Sequence, residues 1–378
     1  WEKVRLGDVT DSCLGKMLDK EKNRGEYQLY LSNKDVRWGS FDLEYLDLMK
    51  FEEHEEERYG VRYGDLIVCE GGEPGRCAIW KDQIPNMKIQ KALHRVRVHE
   101  DLDYRFLYYW FLWAGKRGEL QQYFTGATIK HMPGDKLKSV IITKPDIETQ
   151  RQIADVLSAY DDLIENNQKQ IKLLEEAAQR LYKEWFVDLR FPGYENTEIL
   201  DGIPAGWRIE EVGKLIGKVP RTTQIMTANY HKSGKIPIID QSKTFIAGYT
   251  DDETALVDLG EPVIVFGDHT RILKYIQFPF AKGADGTQLI VSANKNMPQS
   301  LLYCGLVNID LSNYHYARHF KYLKAESLLV PIIDIAKQFD EYAGDLFKRI
   351  QVLRDGISSA TEARDRLLPK LMSGEIEL

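Results

Sequence analysis

Apolar side chains recur at alternating steps of four and three along one long stretch of this chain. The pattern follows Pro145, ends at Trp185, and meets an amide side chain only at Asn167. A heptad seam of this kind predicts a long α-helix that packs against a second helix. The seam consists of Ile153, Leu157, Tyr160, Ile164, Asn167, Ile171, Leu174, Ala178, Leu181 and Trp185.

The same seam returns 186 residues later, behind Pro331, so the partner helix is predicted within the same chain. Each helix would hold about 40 residues and extend roughly 60 Å at ~1.5 Å per residue. A lone seam Asn can fix the register of a coiled coil, and a local role for Asn167 is an equally good interpretation. The second seam consists of Phe339, Ala343, Leu346, Ile350, Leu353, Ile357, Ala360, Arg364, Leu367 and Leu371.

A globular stretch precedes each predicted helix. Residues 65–69 form a β-type run that is apolar after Asp65, and residues 94–98 alternate as a half-buried strand would. The aromatic-rich residues 104–113 predict a short helix packed on that sheet. Residues 1–144 are therefore predicted to mix strands and helices.

The second globular stretch restarts as the first one does. Residues 191–206 are punctuated by Pro and Gly, which ends a helix and opens a new domain. Residues 64–71 are then echoed by residues 260–267. The opening positions Trp1, Leu6, Gly7 and Val9 correspond to Trp207, Val212, Gly213 and Leu215. This repeat predicts an α+β chain of two mixed α/β domains separated by a long helix pair.

The predicted boundaries are 1–144 for the first domain, 145–190 for the first helix, 191–330 for the linker and second domain, and 331–378 for the second helix. The second domain must join the end of one helix to the start of the other. A parallel pair would force that connection to return about 60 Å, the length of a ~40-residue helix. The helices are therefore predicted to be antiparallel, with a pseudo-two-fold axis between the halves.

Composition narrows the class of protein only a little. The 378 residues are 43% hydrophobic and 29% charged, which is ordinary for a soluble chain, and no apolar run predicts a membrane span. The opening residues show no signal-peptide pattern. The four cysteines form no metal-binding spacing, and we expect reduced thiols in a cytoplasmic protein. The net charge of −7 falls mainly on the helices, so it neither supports nor excludes DNA binding.

Motifs for catalysis are missing from the sequence, which predicts a chain that is not an enzyme by itself. There is no phosphate-binding P-loop, no dinucleotide-binding fingerprint, no adenine-methyltransferase motif and no zinc-protease or nucleophile-elbow motif. The acidic residues 52–57 around His54 are interpreted as a solvated surface. His315 and His319 could share a helix face but lack a third ligand, so no metal site is predicted.

Several loops carry side chains suited to DNA. Arg, Lys, Asn and Gln can pair with purine edges, while Ser, Thr and main-chain amides can hold phosphates. The candidate DNA-binding residues are Lys16, Lys20, Lys22, Arg24, Lys91, Thr128, Lys130, His131, Arg221, Thr223, Gln224, Lys243, His269, Arg271, Gln288, Arg318, His319 and Lys321.

The chain resembles the specificity subunit of type I restriction-modification enzymes over nearly its whole length. The matching motifs are Trp1-x4-Leu-Gly-Asp-Val9, Gly15-Lys-Met-Leu18, Tyr63-Gly-Asp-Leu-Ile67, Pro145-x-x-Glu-x-Gln-Arg-x-Ile153, Leu181-Tyr-x-x-Trp-Phe186 and Ile203-Pro-x-Gly-Trp207. One departure stands at residues 331–336, which lack the glutamine seen at Gln150. The second helix is therefore expected to dock differently from the first.

The resemblance implies a non-catalytic reader of a bipartite, asymmetric target in double-stranded DNA, with one half-site for each target-recognition domain. It implies recruitment of two methyltransferase subunits and, through them, restriction and translocase subunits, in a bacterial or archaeal cytoplasm. S-adenosylmethionine, ATP and Mg are then expected on those partners, and no cofactor on this chain. Two alternatives stay open: a related system with a different partner chain, and a coiled-coil scaffold that binds protein rather than DNA.

Overall fold

The computed structural model describes residues 1–19, 23–314 and 318–378. The chain forms two compact units: unit 1 comprises residues 1–165 and 358–378, and unit 2 comprises residues 166–357. Each unit therefore holds one globular part together with a segment of each long helix. Within the described ranges, no helix combines the length and apolar content needed to cross a bilayer.

Unit 1 opens and closes its globular part with paired strands. Its strands are β1 (Glu2–Arg5), β2 (Thr10–Leu14), β3 (Glu26–Leu31), β4 (Val36–Arg37), β5 (Ser40–Phe41), β6 (Asp47–Phe51), β7 (Leu66–Cys69), β8 (Cys77–Ile79), β9 (Lys88–Ile89), β10 (Leu93–Val98) and β11 (Ile141–Lys144). Its helices are α1 (Glu56–Tyr59), α2 (Tyr104–Lys116), α3 (Gly134–Lys138) and the first segment of α4 (Ile147–Tyr182).

The core of unit 1 lies between a four-stranded sheet and α2. The strand order is β2-β10-β7-β8, and a second sheet has the order β6-β3-β9. The apolar run of β7 is buried at every position, as a central strand requires. Asp103 caps α2 by accepting hydrogen bonds from the main-chain amides of Arg105 and Phe106, and Phe106 and Phe111 are fully buried against the sheet.

Unit 2 repeats this plan. Its strands are β12 (Ile199–Leu200), β13 (Ile203–Pro204), β14 (Arg208–Glu211), β15 (Ile236–Ile239), β16 (Gly248–Thr250), β17 (Leu256–Val257), β18 (Val263–Gly267), β19 (Leu273–Ile276), β20 (Phe280–Lys282), β21 (Thr287–Ile290) and β22 (Ser327–Val330). Its helices are α5 (Val212–Leu215), α6 (Gln299–Val307), α7 (His319–Ala325) and the greater part of α8 (Ile333–Met372), and α4 ends in a π-helical turn, Lys183–Val187.

Strand neighbours correspond between the two units. β18 lies between β21 and β19 as β7 lies between β10 and β8. β15 pairs antiparallel with β16 and parallel with β20, just as β3 pairs with β6 and β9. In unit 1 the first strand pairs with the strand before the long helix, β1 with β11, and in unit 2 the strand that follows the β12-β13 hairpin does the same, β14 with β22. The predicted α+β fold with an internal repeat is confirmed.

The helix segments of unit 1 run antiparallel. Ile153 and Leu157, near the start of α4, share one core with Leu368 and Leu371, near the end of α8. Arg364 pairs with Asp161 at the same interface. Early residues of one helix thus meet late residues of the other.

The helix segments of unit 2 are antiparallel as well. Trp185 and Phe186, at the end of α4, contact Phe339 near the start of α8, with ring centroids 5.8 and 5.2 Å apart. Asn167 is buried beside Gly356. A Cβ added to Gly356 would lie 3.1 Å from the side-chain nitrogen Nδ2 of Asn167. None of the predicted seam residues on either helix is exposed. The seam did not include Phe347 and Leu368, which are buried beside it.

A side-chain carboxamide connects the start of each long helix to its globular part. In unit 1 the carboxamide belongs to the helix, and in unit 2 it belongs to the globular part. Gln150 is fully buried and donates to the carbonyls of Pro145 (2.9 Å) and Asp101 (3.2 Å). In unit 2 the position of Gln150 is taken by Ala336, and Asn296 donates to the Pro331 carbonyl at 2.8 Å instead. The expected difference in docking therefore concerns the position of the hydrogen-bond donor. The donor lies on α4 in unit 1 and in the loop before α6 in unit 2.

Candidate nucleic-acid interface

Four polar segments of unit 2 meet at the carboxyl end of the central strand β18. They are residues 240–245 after β15, 268–271 after β18, 284–288 around the start of β21, and 318–321 at the start of α7, and we call this group site 2. The Asp268 amide donates to the Gly286 carbonyl at 2.7 Å, and the Asp268 carbonyl accepts from the His319 amide at 2.9 Å. Sequence segments up to 80 residues apart, as their numbers show, are thereby held together.

Gln241 connects the loops of site 2. Its Oε1 accepts from the His269 amide at 3.1 Å, and its Nε2 donates to the Asp285 carbonyl at 2.6 Å. The Thr270 hydroxyl donates back to the Gln241 carbonyl at 2.7 Å. The loops are thus fixed to one another before any ligand binds.

Unit 1 has the same arrangement at the carboxyl end of β7. Residues 32–34, 70–73, 90–92 and 125–132 form this group, which we call site 1. The Glu70 amide donates to the Ala92 carbonyl (2.8 Å), and the Glu70 carbonyl accepts from the Met132 amide (2.7 Å), matching the two bonds of Asp268. Asn33 donates to the Gly71 carbonyl at 2.6 Å, in the place that Gln241 occupies in site 2.

Many predicted DNA-binding residues border these two sites. In site 1, Thr128, Lys130 and His131 are exposed on the hairpin closed by Thr125 and His131, and Lys91 is half-buried. In site 2, the predicted residues Lys243, His269, Arg271, Arg318 and Lys321 are exposed, and Gln288 is half-buried.

Four lysines of the two sites have unpaired side chains, whereas Lys34 of site 1 pairs with Asp47 at 2.7 Å. Within the described part of the chain, the side chains of Lys91, Lys130, Lys243 and Lys321 make no ion pair or hydrogen bond. An unpaired exposed ammonium can displace counterions from DNA without first breaking a protein contact. Their contact with DNA stays a prediction.

Arg271 has an unusual main chain for an arginine. Its φ of 61° lies in the left-handed region, which costs free energy for a residue with a Cβ. Its Nη1 donates to the Leu311 carbonyl at 3.1 Å. One edge of the guanidinium is therefore held by the protein, and its predicted base contact would use the remaining donors.

Two of the predicted DNA-binding residues are buried. Lys16 is 3% exposed, pairs with Glu55 and donates to the Lys50 carbonyl at 2.9 Å. His319 is 7% exposed, and its ring nitrogens lie 2.9 and 3.0 Å from the carbonyls of Asp268 and Tyr314. Their predicted contacts with DNA are therefore replaced by structural roles, because each side chain is already used by main-chain carbonyls.

The other predicted residues lie elsewhere. Arg24 lines a groove with Lys16, Arg58 and Lys91, where Glu52 and Glu55 also contribute negative charge. Thr223 hydrogen-bonds Thr254 at 2.9 Å, and among the described residues Arg221, Thr223 and Gln224 make no hydrogen bond to the loops of site 2. Lys20, Lys22 and His315 lie outside the described residues.

The acidic stretch around His54 is engaged in protein contacts. The ligand atoms of Glu52, His54 and Glu55 lie within 4.8 Å of one another. Glu55, however, accepts from Lys16 and from the Glu52 amide. Burial opposes ionisation of Glu55, but the hydrogen bonds from Lys16 and the Glu52 amide, together with the charge of Lys16, outweigh burial and lower its pKa. This carboxylate is thus neutralised by a lysine.

Sequence reasoning missed the cations behind the loops. Arg76 donates to the Asn33 side chain at 2.8 Å, and Lys274 donates to the carbonyls of Asp240 and Thr244 at 2.8 and 2.6 Å. Burial lowers the pKa of Lys274 to about 8, despite the nearby Asp240. The strands themselves give no sign of these contacts. The repeat of residues 64–71 in 260–267 was the available indication that equivalent loops surround both positions.

Comparison with known proteins identifies the family. Residues 1–176 match the family model described as the type I restriction modification DNA specificity domain. The chain is 30% identical over 343 residues to the type I restriction enzyme MjaIX specificity subunit of Methanocaldococcus jannaschii, covering 83% of this chain and 78% of that relative. It is 27% identical over 223 residues to the MjaVIII specificity subunit of the same organism, covering 57% and 49%. The chain therefore belongs to the type I restriction enzyme specificity subunits.

A solved structure shares the fold. The type I restriction-modification S subunit from M. genitalium matches with a TM-score of 0.59 and 18% identity, covering 98% of this chain and 96% of that one. As a specificity subunit, the chain is a non-catalytic component of a restriction-modification complex. The resemblance inferred from the sequence motifs is confirmed.

Proposed function

We propose that this chain reads a bipartite, asymmetric target in double-stranded DNA, with one half-site read by site 1 and the other by site 2. The observation that carries the proposal is the same convergence of polar loops at equivalent strand ends in both units. The hydrogen-bonded framework is shared, whereas the exposed side chains differ, with Thr128 and Lys130 in one site and His269 and Arg271 in the other. Two different sites would read two different half-sites.

Within each site, the lysines would bind phosphates and the other polar side chains would meet base edges. Unpaired Lys130, Lys243 and Lys321 suit the first role, because phosphate contacts fix position without carrying sequence information. Arg271 and Gln288 suit the second, because guanidinium and carboxamide groups can pair with guanine and adenine edges. Specificity would then depend on how firmly the loops are held.

The antiparallel helices would serve as the docking element for two methyltransferase subunits and as a ruler between the half-sites. The repeated plan offers two similar docking positions, one in each half. Restriction and translocase subunits would join through the methyltransferases. Those partners would supply S-adenosylmethionine, ATP and Mg, so no cofactor is assigned to this chain.

Methylome sequencing tests the proposal. The host should lose one methylated motif, made of two short half-sites separated by a fixed spacer, when the gene is deleted, and regain it on complementation. A continuous motif, or no change in methylation, would contradict the proposal. Purified complex should also bind random duplex DNA with an affinity that falls steeply with salt. A protein-binding scaffold would show no such dependence.

A further inference from the structure

Each site has a cation behind its loops that is largely withdrawn from solvent, with the Arg76 side chain 19% exposed and the Lys274 side chain 4% exposed. In site 1 this is Arg76, whose Nη2 donates to the carbonyl and the side chain of Asn33 at 3.0 and 2.8 Å. Its Nη1 also pairs with Glu73 at 3.2 Å. Arg76 thus joins the loop after β3 to the loop after β7.

Site 2 makes the equivalent connection with a different residue. The Lys274 side chain is 4% exposed, and its Nζ donates to the carbonyls of Asp240 and Thr244, at either side of the loop that contains Gln241 and Lys243. Asp240 Oδ1 lies 3.8 Å away. The loop after β15 is therefore gathered around one ammonium group.

The two cations come from neighbouring positions of the repeat. The Cys69 amide donates to the Arg76 carbonyl, and the Gly267 amide donates to the Ile272 carbonyl, both at 2.8 Å, so Arg76 corresponds to Ile272. Lys274 stands two residues after Ile272. Ile272 directly precedes β19, as Arg76 directly precedes β8. Side chains two residues apart in an extended chain point to the same face, so the cation is expected on the same face in both units.

We propose that Arg76 and Lys274 are positioning residues for DNA recognition, each setting the loop conformation, and hence the sequence preference, of its own half-site. The inference rests on the proposed function of sites 1 and 2. The two halves use different residues for the same connection, as expected if the loop conformation is what must be kept. Burial lowers the pKa of Lys274, so the buried charge is disfavoured there. General stability alone is a weak reason for such a cation, because apolar packing often stabilises as well or better.

The test uses the full chain in complex with the methyltransferase subunits of its own system and a library of duplexes with randomised sequence. Arg76→Met and Lys274→Met remove the donors while keeping an unbranched, flexible side chain. We expect Arg76→Met to reduce base discrimination at least tenfold in the first half-site only, and Lys274→Met to do so in the second only. Affinity for a fixed non-specific duplex should stay within about twofold, because the phosphate-binding lysines are unchanged.

Three further variants separate positioning from folding. Lys274→Arg keeps a cation with several donors and should preserve the second half-site. Arg95→Met removes a buried arginine whose hydrogen bonds go to the Glu57 and Gly60 carbonyls and not to a loop of site 1. Lys282→Met removes a half-buried strand lysine that makes no side-chain hydrogen bond or ion pair among the described residues. Arg95→Met should lower the melting temperature because it removes buried hydrogen bonds, whereas Lys282→Met should leave it nearly unchanged. Neither control variant should change a half-site preference.

The outcomes are distinct. Unchanged half-site preferences in Arg76→Met and Lys274→Met, relaxation of both half-sites by one substitution, or an equal loss on specific and non-specific duplexes would overturn the positioning role. A relaxed half-site in Arg95→Met at the same loss of melting temperature, or in Lys282→Met, would also overturn it. If the wild-type complex selects no bipartite sequence at all, the proposed function itself fails.

Discussion

At the scale of single residues, the same side-chain type has opposite roles at different positions. Lys16 and Lys130 both lie in loops next to glycine-containing segments, so their local sequences predict the same role for both side chains. Lys16 is buried because Glu55, distant in the sequence, is brought beside it, whereas Lys130 remains exposed. Burial of a loop lysine depends on long-range strand pairing, which local patterns do not encode. The sequence therefore predicted which residues have side chains suited to DNA, but not which of those side chains are exposed and unpaired.

His94 provides a pH-dependent prediction at this scale. It is 1% exposed, and its Nε2 lies 2.9 Å from the Met132 carbonyl beneath site 1. Burial lowers the pKa of His94 below its usual 6.5. The unfolded chain then takes up the proton more readily, so stability from neutral His94 is complete above pH 6.5 and is lost as pH falls through the lowered pKa.

We therefore expect the melting temperature to fall as pH decreases from 7.5 toward about 5, and the slope to be shallower in His94→Gln. His99→Gln is the control, because the His99 side chain is 43% exposed. Parallel pH profiles for the wild type and His94→Gln would contradict this prediction.

Arg271 tests base reading in site 2. Arg271→Ala should cost about 1–3 kcal/mol on the preferred sequence and relax only the second half-site. Lys321→Ala should instead weaken all sequences alike and reduce the salt dependence by about one counterion. Binding to a panel of single-base variants decides between the two behaviours. An even loss of affinity over the panel for Arg271→Ala would remove it from the base-reading residues.

At the scale of secondary structure elements, apolar periodicity was the most informative property of the sequence. A helix is a local structure with a period of 3.6, so both long helices followed from their own residues. The predicted heptad seam omitted Phe347 and Leu368 because it counts only helix-to-helix contacts. A globular core also packs on the helices, so the buried face of each helix is wider than the seam. The replacement of Gln150 by Asn296 could not be predicted, since it joins segments that only the fold brings together.

The Asp161 network predicts how firmly the helices pair in unit 1. Asp161 accepts from Tyr109 at 2.6 Å and pairs with Arg364 across the helix interface. Asp161→Ala should lower the free energy of unfolding by about 1–3 kcal/mol, because it leaves partly buried donors without an acceptor. The double variant Asp161→Leu/Arg364→Leu should recover much of this loss, as apolar pairs often replace buried ion pairs.

Urea denaturation measures both effects. Lys81→Ala is the control, because its pairs with Asp162 and Glu165 are exposed and should contribute less than about 1 kcal/mol. A double variant as unstable as Asp161→Ala would show that Arg364 stabilises unit 1 by other contacts.

The ruler role of the helices can be tested by lengthening them. Asn167 and Gly356 lie against each other, so one heptad inserted after each keeps the seams in register. Seven residues add about 10 Å of helix, which is about three base pairs of DNA. The recognised half-sites should move apart by that amount while their sequences stay the same, as read by methylome sequencing. Altered half-sites with a constant spacer would refute the ruler.

At the scale of the whole molecule, the repeat makes each globular part a separate module. β14 and β22 pair at the two ends of the second module, so residues 208–330 should be exchanged together. Replacing them with the matching segment of a relative should change the second half-site completely and leave the first half-site and the spacer intact. The donor should keep an aromatic side chain where Tyr275 packs on Phe347, at 4.6 Å between ring centroids, because that contact joins the module to α8.

The reciprocal exchange of residues 1–144 is the matched control and should change only the first half-site. Methylome sequencing of both chimaeras reads the outcome directly. If either exchange alters both half-sites, the two sites do not read DNA independently, and the division of the target between them is wrong.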